Sequence, residues 1–296
     1  MGHDVAAPRP PPKVHVLTVA SPRMVLAKTT AEDSRADLVA RVVEASNAHG
    51  CAVLEASCSS NGLSIDVLGR DVAFSGFGSK PRLALAHLKK AAHIPDDALI
   101  VFVDAYDTAF VRGPDDIAQA VATATAEAGV KDDEAAVVFA AERWCWPKDD
   151  ERARKHPPSP TPYRYLNSGA YAGRKRDVVQ LLSAIGFEDA DDDQERFQSA
   201  FISAPATPSP RIVLDTHCRA FQCHAGEDTG HNGIVGDAVA LDDDKHVTNR
   251  VTGARPALLH ANGGIIMRAN MARLIAHHAW FPEPSPLVPR APGCAR

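Results

Sequence analysis

"VFVDAYDTAF", residues 101–110, decides how the chain is read. With Leu99 and Ile100 ahead of it, the run Leu99-Ile100-Val101-Phe102-Val103 has the composition of a strand buried on both faces of a parallel sheet. It ends on two aspartates, Asp104 and Asp107, with Tyr106 held between them. The end of such a strand is where an α/β sheet meets its ligand, so paired carboxylates there suggest a metal. The same pair also reads as caps of the turn into the next segment.

Outward from that strand, apolar runs alternate with helical patterns. "VHVLTVA" (14–20) reads as a strand, and "SRADLVARVVEASNAHG" (34–50) as a helix capped by Ser34, with Leu38, Val42 and Ala45 on one face and a stop at Gly50. "CAVLEA" (51–56) and "IDVLG" (65–69) read as short strands. "SKPRLALAHLKKAAH" (79–93) reads as a helix with Ser79 as cap, Pro81 in its first turn and Pro95 at its end. "GPDDIAQAVATATAEAG" (113–129) is a helix with an acidic first turn, which suits the helix dipole, and "AAVVFAA" (135–141) is the next buried strand. This βαβ rhythm predicts a Rossmann-like, mixed but mostly parallel sheet with helices on both faces.

Past residue 141 the rhythm loosens. A loop, "ERWCWPKDDERARKHPPSPTPYRY" (142–165), carries two of the three tryptophans and leads through "LNSGAYAG" to a helix over about 174–186. A connection this long in a compact domain is usually functional or disordered. Strand-like "RIVLD", "AVAL" and "ALLHANGG" follow, then a final helix near 265–279. The expected organisation is a flexible lead over 1–12, one domain over 13–281 with a nucleotide-binding half (13–142) and an acceptor or sugar half (143–281), and a proline-rich tail over 282–296.

The bulk composition bounds the classes. With 296 residues, 45% apolar and 23% charged, the chain can bury a sizeable core. Its net charge of -5 argues against a nucleic-acid surface, and no stretch of about 18 apolar residues offers a membrane span. "MGHDVAAPRPPPK" lacks the apolar centre of a secretory signal. The six cysteines form no CxxC pair and read as mostly reduced thiols.

Three polar clusters stand out: "DAYD" after the buried strand, "DADDDQ" with Asp189, Asp191, Asp192 and Asp193, and "LLHANGG", which sets His260 at the end of an apolar run. A hard divalent cation takes oxygen ligands, tolerates one imidazole and leaves room for phosphate oxygens, and Asp104, Asp107 and His260 make such a set. Taken singly, a histidine at a strand end also reads as a hydrogen-bonded core residue, and an acidic run as a solvated face.

Together these segments carry a family resemblance. "VLTVAS", "GSKPRLAL", "VFVDAYDTAF", "AERWCWP", "YLNSGAYAG", "DDDQERF", "LDTHCRAFQ" and "LLHANG" occur in that order between about Val14 and Asn262. The chain resembles the glycosyltransferase domain of the procollagen lysyl hydroxylases, a GT-A-type domain that uses UDP-sugars and manganese on collagen hydroxylysine. The resemblance implies Asp104, Asp107 and His260 as ligands of Mn2+, with Mg2+ as a substitute. It implies Tyr106 stacked on the uracil, Thr18 and Lys80 lining the nucleotide, and Asn262 and Gly263 under the diphosphate. Trp146, Asn167, Asp192 and Asp193 match sugar-side and catalytic positions.

The implied reaction is glucose transfer from UDP-glucose to galactosyl-hydroxylysine of collagen or a collagen-like chain, with retention of configuration. Galactose transfer to hydroxylysine, another acceptor, a nucleotidyl or phosphosugar transferase, and a non-catalytic binding module are the alternatives. A homo-oligomer is an open partner. The family works in the endoplasmic reticulum, while this chain shows no signal peptide, so the compartment stays open, with the cytoplasm as one reading. The chain departs from the family in a shortened loop without tryptophan, "GRDVAFSGFG", and in "IIMRAN", where Arg268 stands as an imperfect substitute for the family's phosphate-side lysine. It carries no H-x-D iron motif, so no lysyl hydroxylation is expected.

Overall fold

The computed structural model describes residues 12–20, 51–203, 210–225, 238–263 and 265–281; the helix expected over 34–50 lies outside them. Its centre is a six-stranded sheet in the order β2-β1-β3-β6-β5-β7. The strands are β1 (Val14–Val19), β2 (Ser64–Leu68), β3 (Leu99–Asp104), β5 (Ala136–Glu142), β6 (Tyr165–Arg174) and β7 (Arg211–Asp215). Neighbours pair in parallel except for β6, which runs antiparallel to β3 and to β5. The fold is thus mixed α/β with a largely parallel sheet.

The apolar runs are explained by coverage on both faces. Val14, Val16, Val101 and Val103 pack with Leu54 of α1 (Ala52–Ser60) and with Ile117 and Val121 of α3 (Pro114–Glu127). The alternate residues Leu17, Val19, Ile100 and Phe102 pack on the other side, with Leu88 of α2 (Ser79–Lys90), Leu181 and Leu182 of α5 (Lys175–Ile185) and Phe197 of α6 (Asp193–Ile202). A strand whose two faces both meet helices has no polar face, so it reads as a continuous apolar run.

A smaller sheet, β4-β11-β8, is built from β4 (Thr108–Phe110), β8 (Phe221–Cys223) and β11 (Leu258–His260), and packs against the first of these faces through Phe110, Phe221 and Leu258. β9 (Val239–Leu241) and β10 (Val247–Asn249) form an antiparallel hairpin, and α7 (Ile265–Ile275) follows β11.

Several expectations need correction. "CAVLEA" is helical: the segment continues to Ser60 and buries Leu54, Ser57 and Cys58, a spacing of three and four that a six-residue window is too short to reveal. Ser79 lies inside α2, whose cap position is Gly78, and its hydroxyl donates to the Gly76 carbonyl. That helix ends at Lys90, before Pro95, where the buried Lys175 ammonium donates to the Ala91 and Ile94 carbonyls. The long loop contains a short helix, α4 (Asp150–Lys155), capped by Asp149, and "LNSGAYAG" is part of the central strand β6.

Candidate active site

Register brings the ligand candidates together. At the end of β3 the chain bends over 105–107, with the Thr108 hydroxyl donating to the Asp104 carbonyl, so that Asp104 and Asp107 flank one tight bend. β11 runs antiparallel to β4 with His260 opposite Thr108, and the Ala261 N–H donates to the Asp107 carbonyl at 2.7 Å. His260 Nε2 therefore lies 3.7 Å from Asp104 Oδ2 and 3.6 Å from Asp107 Oδ1. One ligand atom from each of the three residues falls within 4.8 Å of the others.

The donor set fits a divalent cation. Each aspartate turns one oxygen toward His260 and the other toward a fixed positive charge: Asp104 Oδ1 is 2.7 Å from Lys80 Nζ, and Asp107 Oδ2 is 3.5 Å from Arg268. Burial alone would raise the Asp104 carboxyl, but the Lys80 ammonium and His260 beside it bring it below the ordinary range, so it is charged and ready to ligate. Gly169 of β6 supplies the space. A Cβ there would lie 2.1 Å from His260 Cε1 and 2.8 Å from Asp104 Oδ2, so a side chain at this position would fill the cradle.

The triad lies in a cavity of about 900 Å³. Its wall includes Lys80, Trp144, Trp146, Asn167, Asp192 and Asp193, together with Asn262 and Gly263. Lys80 is almost wholly buried and sits between Asp104 and Asp193, 3.0 Å from the Asp193 Oδ2. Burial would lower its pKa, yet the two carboxylates raise it above the ordinary lysine value, and the ammonium is permanently charged. Burial raises the Asp193 carboxyl against the pull of Lys80. The neighbouring Asp192, also on the wall, is the N-cap of α6, its carboxylate accepting the Glu195 N–H at 3.0 Å.

One carboxylate on this wall is absent from the residues that the sequence singles out. Glu142 ends β5 as Asp104 ends β3, an acid after a buried apolar run, and the same signal would find it. It is 2% exposed and accepts from three amides: Asn167 Nδ2 at 3.2 Å, Gln194 Nε2 at 2.7 Å and Asn262 Nδ2 at 2.7 Å. Gln194 also receives the Ser168 N–H and donates to the Trp146 carbonyl, so one network ties β5, β6, α6 and the tryptophan loop. Asn262 is held from its other end, its Oδ1 accepting the His224 and Ala225 N–H groups.

Burial pushes Glu142 up to about 7, and the three amide donors only partly offset it. Since the folded pKa lies above the ordinary 4.5, Glu142 favours the folded state fully below pH 4.5, and that contribution is lost as pH rises through about 7. The loss amounts to roughly 3 kcal/mol, at about 1.4 kcal/mol per pK unit. The unfolding free energy of the wild type minus that of Glu142→Gln should therefore fall between pH 4.5 and 8. A pH-independent difference in denaturant titrations would show that Glu142 does not titrate there.

Two expected nucleotide residues are not on the cavity wall among the described residues. Thr18 is fully buried and its hydroxyl donates to the Val103 carbonyl. Tyr106 is half-buried against a small cluster of Ala20, Cys51 and Ala105, beside the end of β1. Asp189 and Asp191 also lie off the wall. A second acidic group, Asp242, Asp244 and His246, belongs to the hairpin turn, where Asp242 caps the turn and pairs with Arg255.

Comparison with known proteins identifies the family of the chain. A protein-family model, the PLOD GT domain, matches residues 34–284. An uncharacterised protein of Acanthamoeba polyphaga mimivirus is 32% identical over 174 residues, 57% of this chain and 32% of that protein. The multifunctional procollagen lysine hydroxylase and glycosyltransferase of Homo sapiens is 27% identical over 226 residues, 75% of this chain and 28% of that protein. The chain thus spans about a third or less of the length of these relatives. A solved glycosyltransferase involved in the glycosylation of the major capsid of PBCV-1 is a loose likeness of shape, with a TM-score of 0.44 and 9% identity over 89% of this chain and all of that one. With a family match that covers β2 to β11, the acidic run and His260, the chain belongs to the PLOD GT domain family and is a glycosyltransferase.

Proposed function

We propose that the protein is a manganese-dependent transferase that moves glucose from UDP-glucose to galactosyl-hydroxylysine of collagen or a collagen-like chain, with retention of configuration. The observation that carries this reading is the Asp104, Asp107 and His260 triad at the wall of a cavity of about 900 Å³, in a chain of this family. Two carboxylates and an imidazole suit Mn2+ better than Mg2+, which prefers an all-oxygen shell. A cation held there would act as a Lewis acid toward the diphosphate of the donor.

The chain's own residues divide the remaining work. Lys80 adds a buried positive charge beside the triad, where negative charge develops as the bond between the sugar and the β-phosphate oxygen breaks. Tyr106 lies off the described cavity wall, packed beside the end of β1, and its ring is assigned to the uracil on the nucleotide side. On the sugar side Asp193 lines the cavity wall, and Trp144 and Trp146 are 66% and 63% exposed. An exposed tryptophan at a cavity rim is an apolar platform on which a sugar ring can stack. Asn167 and Asn262, tied to Glu142, hold that wall in one arrangement.

A UDP-release assay on metal-stripped protein tests the reading. Mn2+ should restore release from UDP-glucose, and a galactosyl-hydroxylysine peptide should accelerate it and gain one hexose by mass. Faster release from UDP-galactose with a hydroxylysine peptide would reassign the donor and acceptor. Full activity without any divalent cation would overturn the metal role.

A further inference from the structure

The acidic run splits in the structure. Asp192 caps α6 and Asp193 meets Lys80, which leaves Asp189 and Asp191 without a place in the cavity. What they touch is the segment on both sides of Lys80. The Asp189 carboxylate accepts from the Ser75 hydroxyl at 2.9 Å and from Arg82 Nε, and the Gly78 N–H donates to the Asp191 carbonyl at 2.8 Å. The Asp191 carboxylate in turn accepts the Glu188 N–H at 2.8 Å, which closes its own turn.

The two backbones approach so closely that glycine is required. A Cβ on Gly76 would lie 2.0 Å from the Asp189 carbonyl oxygen, and one on Gly78 would lie 1.9 Å from the Glu188 carbonyl oxygen. Lys80 follows Gly78 by two residues and Asp193 follows Asp191 by two, and those side chains meet at 3.0 Å. The backbone contact and the buried ion pair are two rungs of one short ladder between the start of α2 and the start of α6.

We infer that Gly76, Gly78 and Arg82 on one side and Asp189 and Asp191 on the other form a clasp that sets Lys80 against Asp193. These are positioning residues for the transfer, an inference that rests on the reading that this cavity performs sugar transfer. The Arg82–Asp189 pair is partly exposed and contributes little by itself. The fit of the two backbones is the demanding part, because a carbonyl cannot swing aside as a side chain can.

Gly78→Ala in the full chain is the sharp test. Parting the two turns displaces Lys80 from Asp193, and a misplacement of about 1 Å at a reacting centre costs on the order of 10²-fold in rate. The kcat of metal-dependent UDP release should fall by that order, with the donor KM changed much less. Amide hydrogen exchange should quicken at 75–80 and 188–191 together while the central strands keep their protection. Arg82→Ala should give a smaller fall, restored by Arg82→Lys. An unchanged kcat, or faster exchange in one segment only, would overturn the clasp. If Gly78→Ala fails to fold, Asp189→Ala decides by the same exchange criterion. Absence of UDP-sugar turnover in the wild type would defeat the proposed function, and the exchange data would still decide the clasp.

Discussion

Asp107→Ala should lower metal-dependent sugar transfer by about 10³-fold or more, since a bound divalent ion supplies several kcal/mol of charge stabilisation and each 1.4 kcal/mol is tenfold in rate. The folded state should survive. What Asp107 gives the fold is its backbone carbonyl, which accepts the Ala261 N–H and joins β4 to β11, and alanine keeps that bond. Its side chain faces His260 Nε2 and Arg268, so removal relieves the repulsion between two close carboxylates while it loses one ion pair at 3.5 Å. Asp104 is a poorer choice for the experiment. Its loss leaves the buried Lys80 with Asp193 as a lone counterion, so stability and chemistry would fail together. Calorimetry with Mn2+ should show binding to the wild type and none to Asp107→Ala at the same concentrations. A variant that unfolds at room temperature would mark the aspartate pair as structural, and unchanged manganese binding would place the metal elsewhere.

What can be read from the sequence, and what cannot, follows from the range of the signals. Buried strands such as β3 and β5 are legible because helices cover both faces, and that leaves an apolar run in one short window. The acids that end them are legible for the same reason, although Glu142 is harder to single out because it also opens the tryptophan loop. "CAVLEA" reads as a strand because six residues do not separate period two from period 3.6. Other features depend on register between distant segments. Gly169 stands beside Asp104 because Val103 pairs with Ala170 across an antiparallel strand that breaks the parallel rhythm. The pairing of Lys80 with Asp193 links residues more than a hundred positions apart, and no local pattern announces it.

The same pairing explains how so many charges share a small volume. From Asp193 through Lys80 to Asp104, and from Asp107 to Arg268, negative and positive groups alternate around His260. Alternation offsets the desolvation that would otherwise neutralise the carboxylates, which keeps Asp104 charged although it is partly buried. Asp193 is the member of the chain at which burial outweighs the partner and raises the carboxyl.

Asp193→Asn should lower kcat by about 10²-fold or more while the donor dissociation constant stays within a few-fold, the mark of an interaction made in the transition state and not in the ground state. Asparagine preserves the volume, and its Oδ1 can still accept from Lys80, so the buried contact persists without the charge. Lys80 keeps Asp104 at 2.7 Å as counterion, and the triad that would hold the diphosphate is untouched. What disappears is a negative group facing the cavity, available either as a nucleophile or as electrostatic support for an oxocarbenium-like sugar. Asp192→Asn is the internal control. The Asp192 carboxylate accepts the Glu195 N–H as the N-cap of α6, and asparagine caps a helix as well as aspartate, so turnover should change less than about threefold. Titration of each variant with UDP, followed by single-turnover transfer from UDP-glucose, separates the outcomes. If Asp193 served Lys80 only as a counterion, its substitution would lower the melting temperature and leave kcat near the wild-type value. If Asp192→Asn proved the slower of the two, the reacting carboxylate would be the cap residue, and the division of labour between these neighbours would be reversed.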